Sequence, residues 1–175
     1  MIKPLLATAC LILATLLALA LWPTRTPPLQ APAELSSSHW RAQGQYLAVA
    51  GNCGGCHTAH GGQPFAGGLG LPTPIGTVYS TNITPNRQHG IGAYSLEDFN
   101  RALRHGIAAD GHSLYPAMPY PSYAHLSDED VIALYAYFMQ GVAPVEQANR
   151  ANDVPWPLSM RWPLAVWRKW FMTAD

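Results

Sequence analysis

The stretch Asn52-Cys53-Gly54-Gly55-Cys56-His57 constrains this chain more than any other. Two cysteines with two residues between them, followed at once by histidine, form the attachment pattern of a c-type haem. Each part has its own chemistry. The thiols of Cys53 and Cys56 add across two vinyl groups as thioethers. His57 reaches iron from the same face as proximal ligand. Gly54 and Gly55 let the backbone turn tightly against a porphyrin edge. The competing readings ask for more than the chain offers. A redox disulfide wants a thioredoxin-like βαβ context, which is not visible here. A zinc site wants a second Cys or Cys/His pair at finger spacing.

A bound iron of this kind needs a second ligand, a dry pocket and a route out of the cytoplasm. The route is written first. Leu5 to Trp22 is apolar apart from Thr8, Cys10 and Thr15, which reaches the lower limit of a membrane span. Residues 1–22 are therefore read as an uncleaved signal anchor, with a cleaved signal peptide as the alternative. Ala18 and Ala20, or Ala31 and Ala33, offer small residues for cleavage. Lys3 and Arg25 nearly cancel as orientation signals. Cys10 is an apolar filler rather than a lipid-bearing cysteine. Residues 23–36 hold four prolines within their first ten positions and read as a stiff spacer. The balance of ten basic and ten acidic residues gives no basic face for nucleic acid.

Three helices follow from pattern and punctuation. The first starts near Ser37 and carries an apolar stripe of Trp40, Tyr46, Leu47 and Ala50 into the haem motif. Residues 61–92 are rich in Gly, Pro, Thr and Asn and read as a long loop ordered by wrapping a large flat ligand. Ser95, with Asp98 three residues on, caps the second helix, whose inner side is Leu96, Phe99, Ala102 and Leu103, and Gly106 stops it. Ser127-Asp128-Glu129-Asp130 caps the third. Val131, Leu134, Tyr135 and Phe138 form its inner face, and Gly141 with Pro144 ends it. No convincing strand pair is visible. The expectation is an all-α, single-haem domain over residues 37–145, with a Trp-rich tail over 146–175.

Met118 is the candidate second ligand. Pro116, Pro119 and Pro121 stiffen its loop, and a neutral thioether favours ferrous iron. His105, His112 and His125 are weaker alternatives, since nothing comparable holds them. Met139 reads as core or surface, Met160 and Met172 lie beyond the domain, and His60 and His89 read as exposed loop residues.

Several runs together carry a family resemblance: Thr73-Pro74-Ile75-Gly76-Thr77-Val78-Tyr79-Ser80-Thr81-Asn82-Ile83-Thr84-Pro85, Gly90-Ile91-Gly92-Ala93-Tyr94-Ser95 and Leu114-Tyr115-Pro116-Ala117-Met118-Pro119-Tyr120. With the haem motif and Gly67-Gly68, they resemble the first haem domain of the cytochrome c subunits of membrane-bound bacterial dehydrogenases for alcohol, aldehyde, gluconate and related substrates. The resemblance covers roughly residues 40 to 145. It implies a class I cytochrome c-like domain of three main helices around one covalently attached haem c. Cys53 and Cys56 become the attachment points, and His57 and Met118 the axial ligands. A backbone carbonyl of the 73–85 run, most simply near Pro74, orients the His57 ring.

The resemblance also implies a non-catalytic electron carrier on the periplasmic side of the inner membrane. Its partners would be a dehydrogenase subunit of the PQQ, flavin or molybdopterin type and a downstream cytochrome or oxidase of the respiratory chain. The best-known members carry three haem motifs and this sequence one, which suggests a shorter relay. The tail, with Trp156, Trp162, Trp167 and Trp170 beside Arg161, Arg168 and Lys169, suits a membrane interface or a partner groove, or else caps the domain. A haem peroxidase or gas-binding protein with a displaceable Met118 is the competing function. No polar catalytic pair beside Met118 argues for it.

Overall fold

The computed structural model describes residues 2–22 and 26–172. The first part of the spacer, with Pro23 and Arg25, lies outside the described residues.

Helix α1 (Ile2–Leu21) is apolar on every side, and none of its Lys3–Leu21 span is buried against protein. Its two threonines hide their hydroxyls in the helix itself. Thr8 Oγ1 donates to the Pro4 carbonyl at 3.0 Å, and Thr15 Oγ1 to that of Leu11 at 2.9 Å. Such back-bonding leaves little polar surface for an apolar medium to penalise.

The domain core is built on helices α2 (Ser38–Ala50), α4 (Leu96–His105) and α6 (Asp128–Gln140), with α3 (Cys53–His57) directly after α2. Helices α2 and α6 cross at small residues. A methyl group on Gly44 would overlap the Ala133 carbonyl and stand 2.6 Å from Tyr137 Cβ, so only glycine permits this approach. Gly44 and Ala48, one turn apart, are the buried residues of α2. The predicted stripe is thus corrected. Trp40 and Leu47 are half-buried, but Tyr46 and Ala50 lie on the opposite side and are exposed. Close backbone contact, rather than side-chain bulk, decided which face turned inward.

The caps of α4 and α6 form as the sequence implies. Ser95 Oγ accepts from Asp98 N at 3.1 Å while Ser95 N donates to the Asp98 carboxylate at 3.0 Å. Ser127 and Asp130 repeat the arrangement. Gly106 closes α4 at φ 61°, and its lack of a side chain admits the Tyr120 ring. Phe99, Leu103, Val131, Leu134 and Phe138 join Ala48 and Ile91 in the core.

The domain is mostly helical, but the strand-free reading of residues 61–92 is corrected. Strands β1 (Gly70–Thr73) and β2 (Gly76–Tyr79) pair antiparallel, with Leu71 opposite Val78. Pro72 removes a ladder donor, so the hairpin is short and two-sided periodicity cannot reveal it. The outer edge of β2 instead meets Asp153. Thr77 N donates to the Asp153 carbonyl at 3.0 Å, and Asp153 N returns a bond to Thr77 at 2.8 Å.

The tail is bound back onto the domain. Helix α7 (Trp162–Phe171) buries Ala165, Val166 and Arg168. Arg168 donates to the His105 carbonyl at 3.0 Å and to Ser113 Oγ at 3.2 Å. Its other face leaves Trp170 and Phe171 exposed. Lys169 Nζ donates to the carbonyls of Leu19 and Trp22, a cation against the C-terminal end of α1.

Gly44→Ala is expected to destabilise the folded protein by about 2–3 kcal/mol, because the α2–α6 crossing must open; urea unfolding followed by far-UV circular dichroism measures it. Ser95→Ala is expected to lower stability by about 1 kcal/mol at neutral pH. Burial alone would raise the Asp98 carboxyl pKa, but hydrogen bonds from Ser95 and Arg101 outweigh it and hold the group below its ordinary value. This contribution is therefore present above the ordinary carboxylate pKa and fades as pH falls through the depressed one. Urea midpoints of the two proteins should converge in acid.

Candidate haem site

The haem motif is itself the short helix α3. Asn52 precedes it in the left-handed region, at φ 53°. Its side chain occupies the space that a Cβ on Gly55 would need, which explains that glycine more directly than backbone turning alone. Both thiols are unbridged. Burial first, with the nearby Cys56 adding to it, pushes the Cys53 thiol up to about 11, against a backbone hydrogen bond acting the other way. A neutral thiol in apolar surroundings differs from the activated thiolate of a redox motif. Among the described residues no group of three or more His, Cys, Asp or Glu is placed to hold a metal ion by itself.

Cys53, Cys56 and His57 open onto a cavity of about 340 Å³. Its walls are largely apolar: Phe99 and Leu103 from α4, Phe138 from α6, Leu71 and Val78 from the hairpin, and Ile91. Met118 stands on the same cavity. Among the described residues it is the one methionine in the lining, and His57 the one histidine. His105, His112 and His125 do not reach it. His112 instead pairs with Asp110 at 2.5 Å. His89, expected to be exposed, is half-buried, with its carbonyl accepting from Asn149 Nδ2 at 3.0 Å.

Two tyrosines, as well as the prolines, hold Met118. Tyr115 is buried before it and Tyr120 after it. Met118 N donates to the Tyr115 carbonyl at 3.2 Å, and Tyr120 N donates to the Met118 carbonyl at 2.8 Å. Helix α5 (Tyr120–Tyr123) then carries Tyr123, whose hydroxyl donates to the Gly51 carbonyl at 3.0 Å. This bond ties the methionine loop to the entrance of the haem motif.

His57 Nδ1 donates to the Thr81 carbonyl at 2.7 Å. The orienting carbonyl expected near Pro74 is therefore Thr81, and Pro74 lies in the turn between β1 and β2. The chain segments explain the change. Gly67 N donates to the His57 carbonyl at 2.7 Å, Gly68 N to that of Ser80 at 2.8 Å, and Ile83 N to that of Phe65 at 2.9 Å. Residues 65–68 thus run beside 80–83 and bring Thr81 behind the ring. Burial lowers the His57 pKa, with the Thr81 carbonyl pulling weakly the other way, so the ring is neutral. A proton fixed on Nδ1 leaves the Nε2 lone pair for a metal.

Asn152, Arg161, Tyr94 and Tyr123 also line the cavity and were not anticipated from sequence. Only the tyrosines had any local signal, Tyr94 in the Gly90–Ser95 run and Tyr123 just after the Tyr120-Pro121 pair.

A cytochrome c family profile matches residues 41–141. The chain belongs to the cytochrome c family. Over 126 residues it is 69% identical to the gluconate 2-dehydrogenase cytochrome c subunit of Pantoea cypripedii, covering 72% of this chain and 29% of that protein. It is 60% identical over 130 residues to the cytochrome c subunit of the quinone-type alcohol dehydrogenase of Gluconobacter oxydans (strain 621H), covering 74% of this chain and 27% of that one. The fructose dehydrogenase cytochrome subunit of Gluconobacter japonicus is 47% identical over 167 residues, which is 95% of this chain and 34% of that protein. This cytochrome c thus spans about a third or less of the length of these relatives. The resemblance to dehydrogenase cytochrome subunits is borne out. The family's group is covalently bound haem c. An apolar cavity with two free thiols, a neutral imidazole braced from behind and a thioether on its lining fits that group.

Gly67 sits at φ 76°, and a side chain there would overlap the Thr81 backbone. Gly67→Ala is expected to cost about 2–3 kcal/mol through left-handed strain and displacement of Thr81. Thermal unfolding monitored by circular dichroism reads the loss.

Proposed function

We propose that this chain is the electron-transferring haem c module of a membrane-bound dehydrogenase system. The observation that carries the proposal is the meeting of Cys53, Cys56, His57 and Met118 on one apolar cavity. Cys53 and Cys56 would hold the haem through thioethers, and His57 and Met118 would ligate its iron. The haem supplies an iron that gains and loses one electron. The protein's part is to keep that iron's surroundings constant. The Thr81 carbonyl fixes the His57 ring, Tyr115 and Tyr120 fix Met118, and Phe99, Leu103 and Phe138 exclude water. A thioether paired with an imidazole would raise the potential relative to two imidazoles.

In this reading α2, α4 and α6 are the three main helices of a class I-like domain around one haem, within residues 37–145. Residues 1–22 form a signal anchor or signal peptide, 23–36 a spacer and 146–175 the tail. The domain sits on the periplasmic side of the inner membrane. Asn52, Thr81 and Pro119 are exposed at the mouth of the cavity, which gives a partner a place to approach the cofactor edge. Electrons enter from a dehydrogenase subunit of the PQQ, flavin or molybdopterin type. They leave to a downstream cytochrome or oxidase of the respiratory chain. The names of the relatives support a dehydrogenase partner.

The test is expression with a c-haem maturation system. Wild type is expected to carry one covalent haem per chain and a ferric sulfur–iron absorption band that persists under carbon monoxide and cyanide at modest concentration. Met118→Ala is expected to lose that band, bind carbon monoxide when reduced, and show a lower potential. An unchanged potential would sink the Met118 assignment. Ready carbon monoxide binding by the wild type would favour a gas-binding or peroxidase function instead.

A further inference from the structure

Arg161 lies twenty residues beyond the end of the cytochrome c profile at residue 141, yet its side chain lines the cavity. Two contacts fix it there. One guanidinium nitrogen donates to the Ser113 carbonyl at 2.9 Å. The guanidinium plane lies over the Tyr115 ring, 3.6 Å from its centroid. Tyr115 is also the residue whose carbonyl anchors Met118, so this cation is built into the ligand loop.

No carboxylate among the described residues pairs with Arg161 directly. Among the described residues, the ion pairs join Arg101 to Asp98, Arg104 to Asp128 and His112 to Asp110, and none includes Arg161. Its remaining N–H groups have no hydrogen-bond partner among those residues. Asp110 acts on it through space without bonding to it, and a half-buried cation with no direct ion pair at an apolar cavity gains from a carboxylate that the ligand brings. Arg168 and Arg150 differ. Arg168 is engaged by His105 and Ser113, and Arg150 stacks on Tyr79 from an exposed position. Neither lines the cavity. Asn152 does line it. Its Oδ1 accepts from Tyr79 N at 2.7 Å, which leaves its amide hydrogens for a further acceptor.

Haem c carries two propionate carboxylates, and a guanidinium fork matches a carboxylate in two parallel hydrogen bonds. We infer that Arg161 binds a haem propionate, with Asn152 donating to the same end of the cofactor, so that the segment after the cytochrome domain forms part of the haem site. This rests on the haem reading above. The paired guanidinium neutralises a carboxylate near the iron and thereby favours the ferrous state.

The test compares wild type, Arg161→Gln and Arg161→Lys as purified holoproteins at neutral pH. The readouts are covalent haem content, reduction potential and redox-induced infrared difference spectra in the carboxylate region. Arg161→Gln is expected to keep its covalent haem and sulfur–iron band, to show a lower potential, and to shift the carboxylate bands. Arg161→Lys, which keeps the charge but not the fork, should fall between the two in potential. A purely structural role would lower thermal stability while leaving potential and infrared bands as in wild type, and that result overturns the assignment. If Arg161→Gln does not accumulate, Arg161→Lys decides. Shifted carboxylate bands support propionate binding, and bands identical to wild type overturn it. Absence of covalent haem in the wild type overturns the haem reading itself, whereas covalent haem with an Arg161-independent potential overturns this assignment alone.

Discussion

The long loop behind His57 hangs from Asn82. This residue is almost completely buried, and its side-chain hydrogen-bonding groups are satisfied. Its amide nitrogen donates to the carbonyls of Val145 and Gln147 at 2.9 and 3.0 Å. Its side-chain oxygen accepts from the backbone and hydroxyl of Thr84, at 2.9 and 2.7 Å. Its own backbone N–H donates to Asn149 at 2.7 Å. A buried network with every member paired is rigid, whereas the loss of one member would leave several groups stranded in a low-dielectric interior. Thr81, the residue that braces His57, is the immediate neighbour of this knot. The direction of the proximal imidazole is therefore set by a polar cluster outside the cavity, and the cavity walls stay apolar.

That division of labour runs through the whole site. Helices α2, α4 and α6 contribute bulk and dryness, through Phe99, Leu103, Val131, Leu134 and Phe138. Loops, the short helix α5 and Tyr135 of α6 contribute direction, through carbonyls and tyrosines. Tyr123 bonds to Gly51, Tyr135 bonds to the Tyr94 carbonyl at 3.0 Å, and Tyr115 and Tyr120 flank Met118. Each of these rings buries apolar area while its polar groups or backbone settle a neighbouring segment. Loops of this length are ordinarily poorly fixed. Here the loop is caught between a hairpin, a polar knot and the strap over residues 145–153.

Features governed by near neighbours were legible in the sequence. The haem motif, the capping boxes at Ser95 and Ser127, and the glycine after α4 depend on spacings of a few residues. The place of Met118 on the cavity lining was legible because proline constrains its neighbours locally. Residues 61–92 were not, because the order there comes from distant partners. Thr81 faces His57 only after 65–68 have paired with 80–83, so choosing Thr81 over Pro74 needs the hairpin and its register. Tyr46 looked like a core residue by period and bulk. The close approach at Gly44 turned another side of α2 inward, and hydrophobic periodicity does not weigh the absence of a side chain. Arg161 had no local signal at all: its site consists of Ser113 and Tyr115, far back along the chain.

The strap has a consequence in time as well as in space. Asn152 reaches Tyr79 across a sequence separation of 73, and Gln147 reaches Ala66 across 81. Contacts between such distant segments require a large loop to close, and they form late compared with helices and caps. A chain made from its N-terminus presents Cys53, Cys56 and His57 well before residues 145–153 exist to cover the loop beside them. The pocket is thus assembled open-sided. Its thiols are uncovered during an early interval, and the strap, followed by Arg161, arrives later.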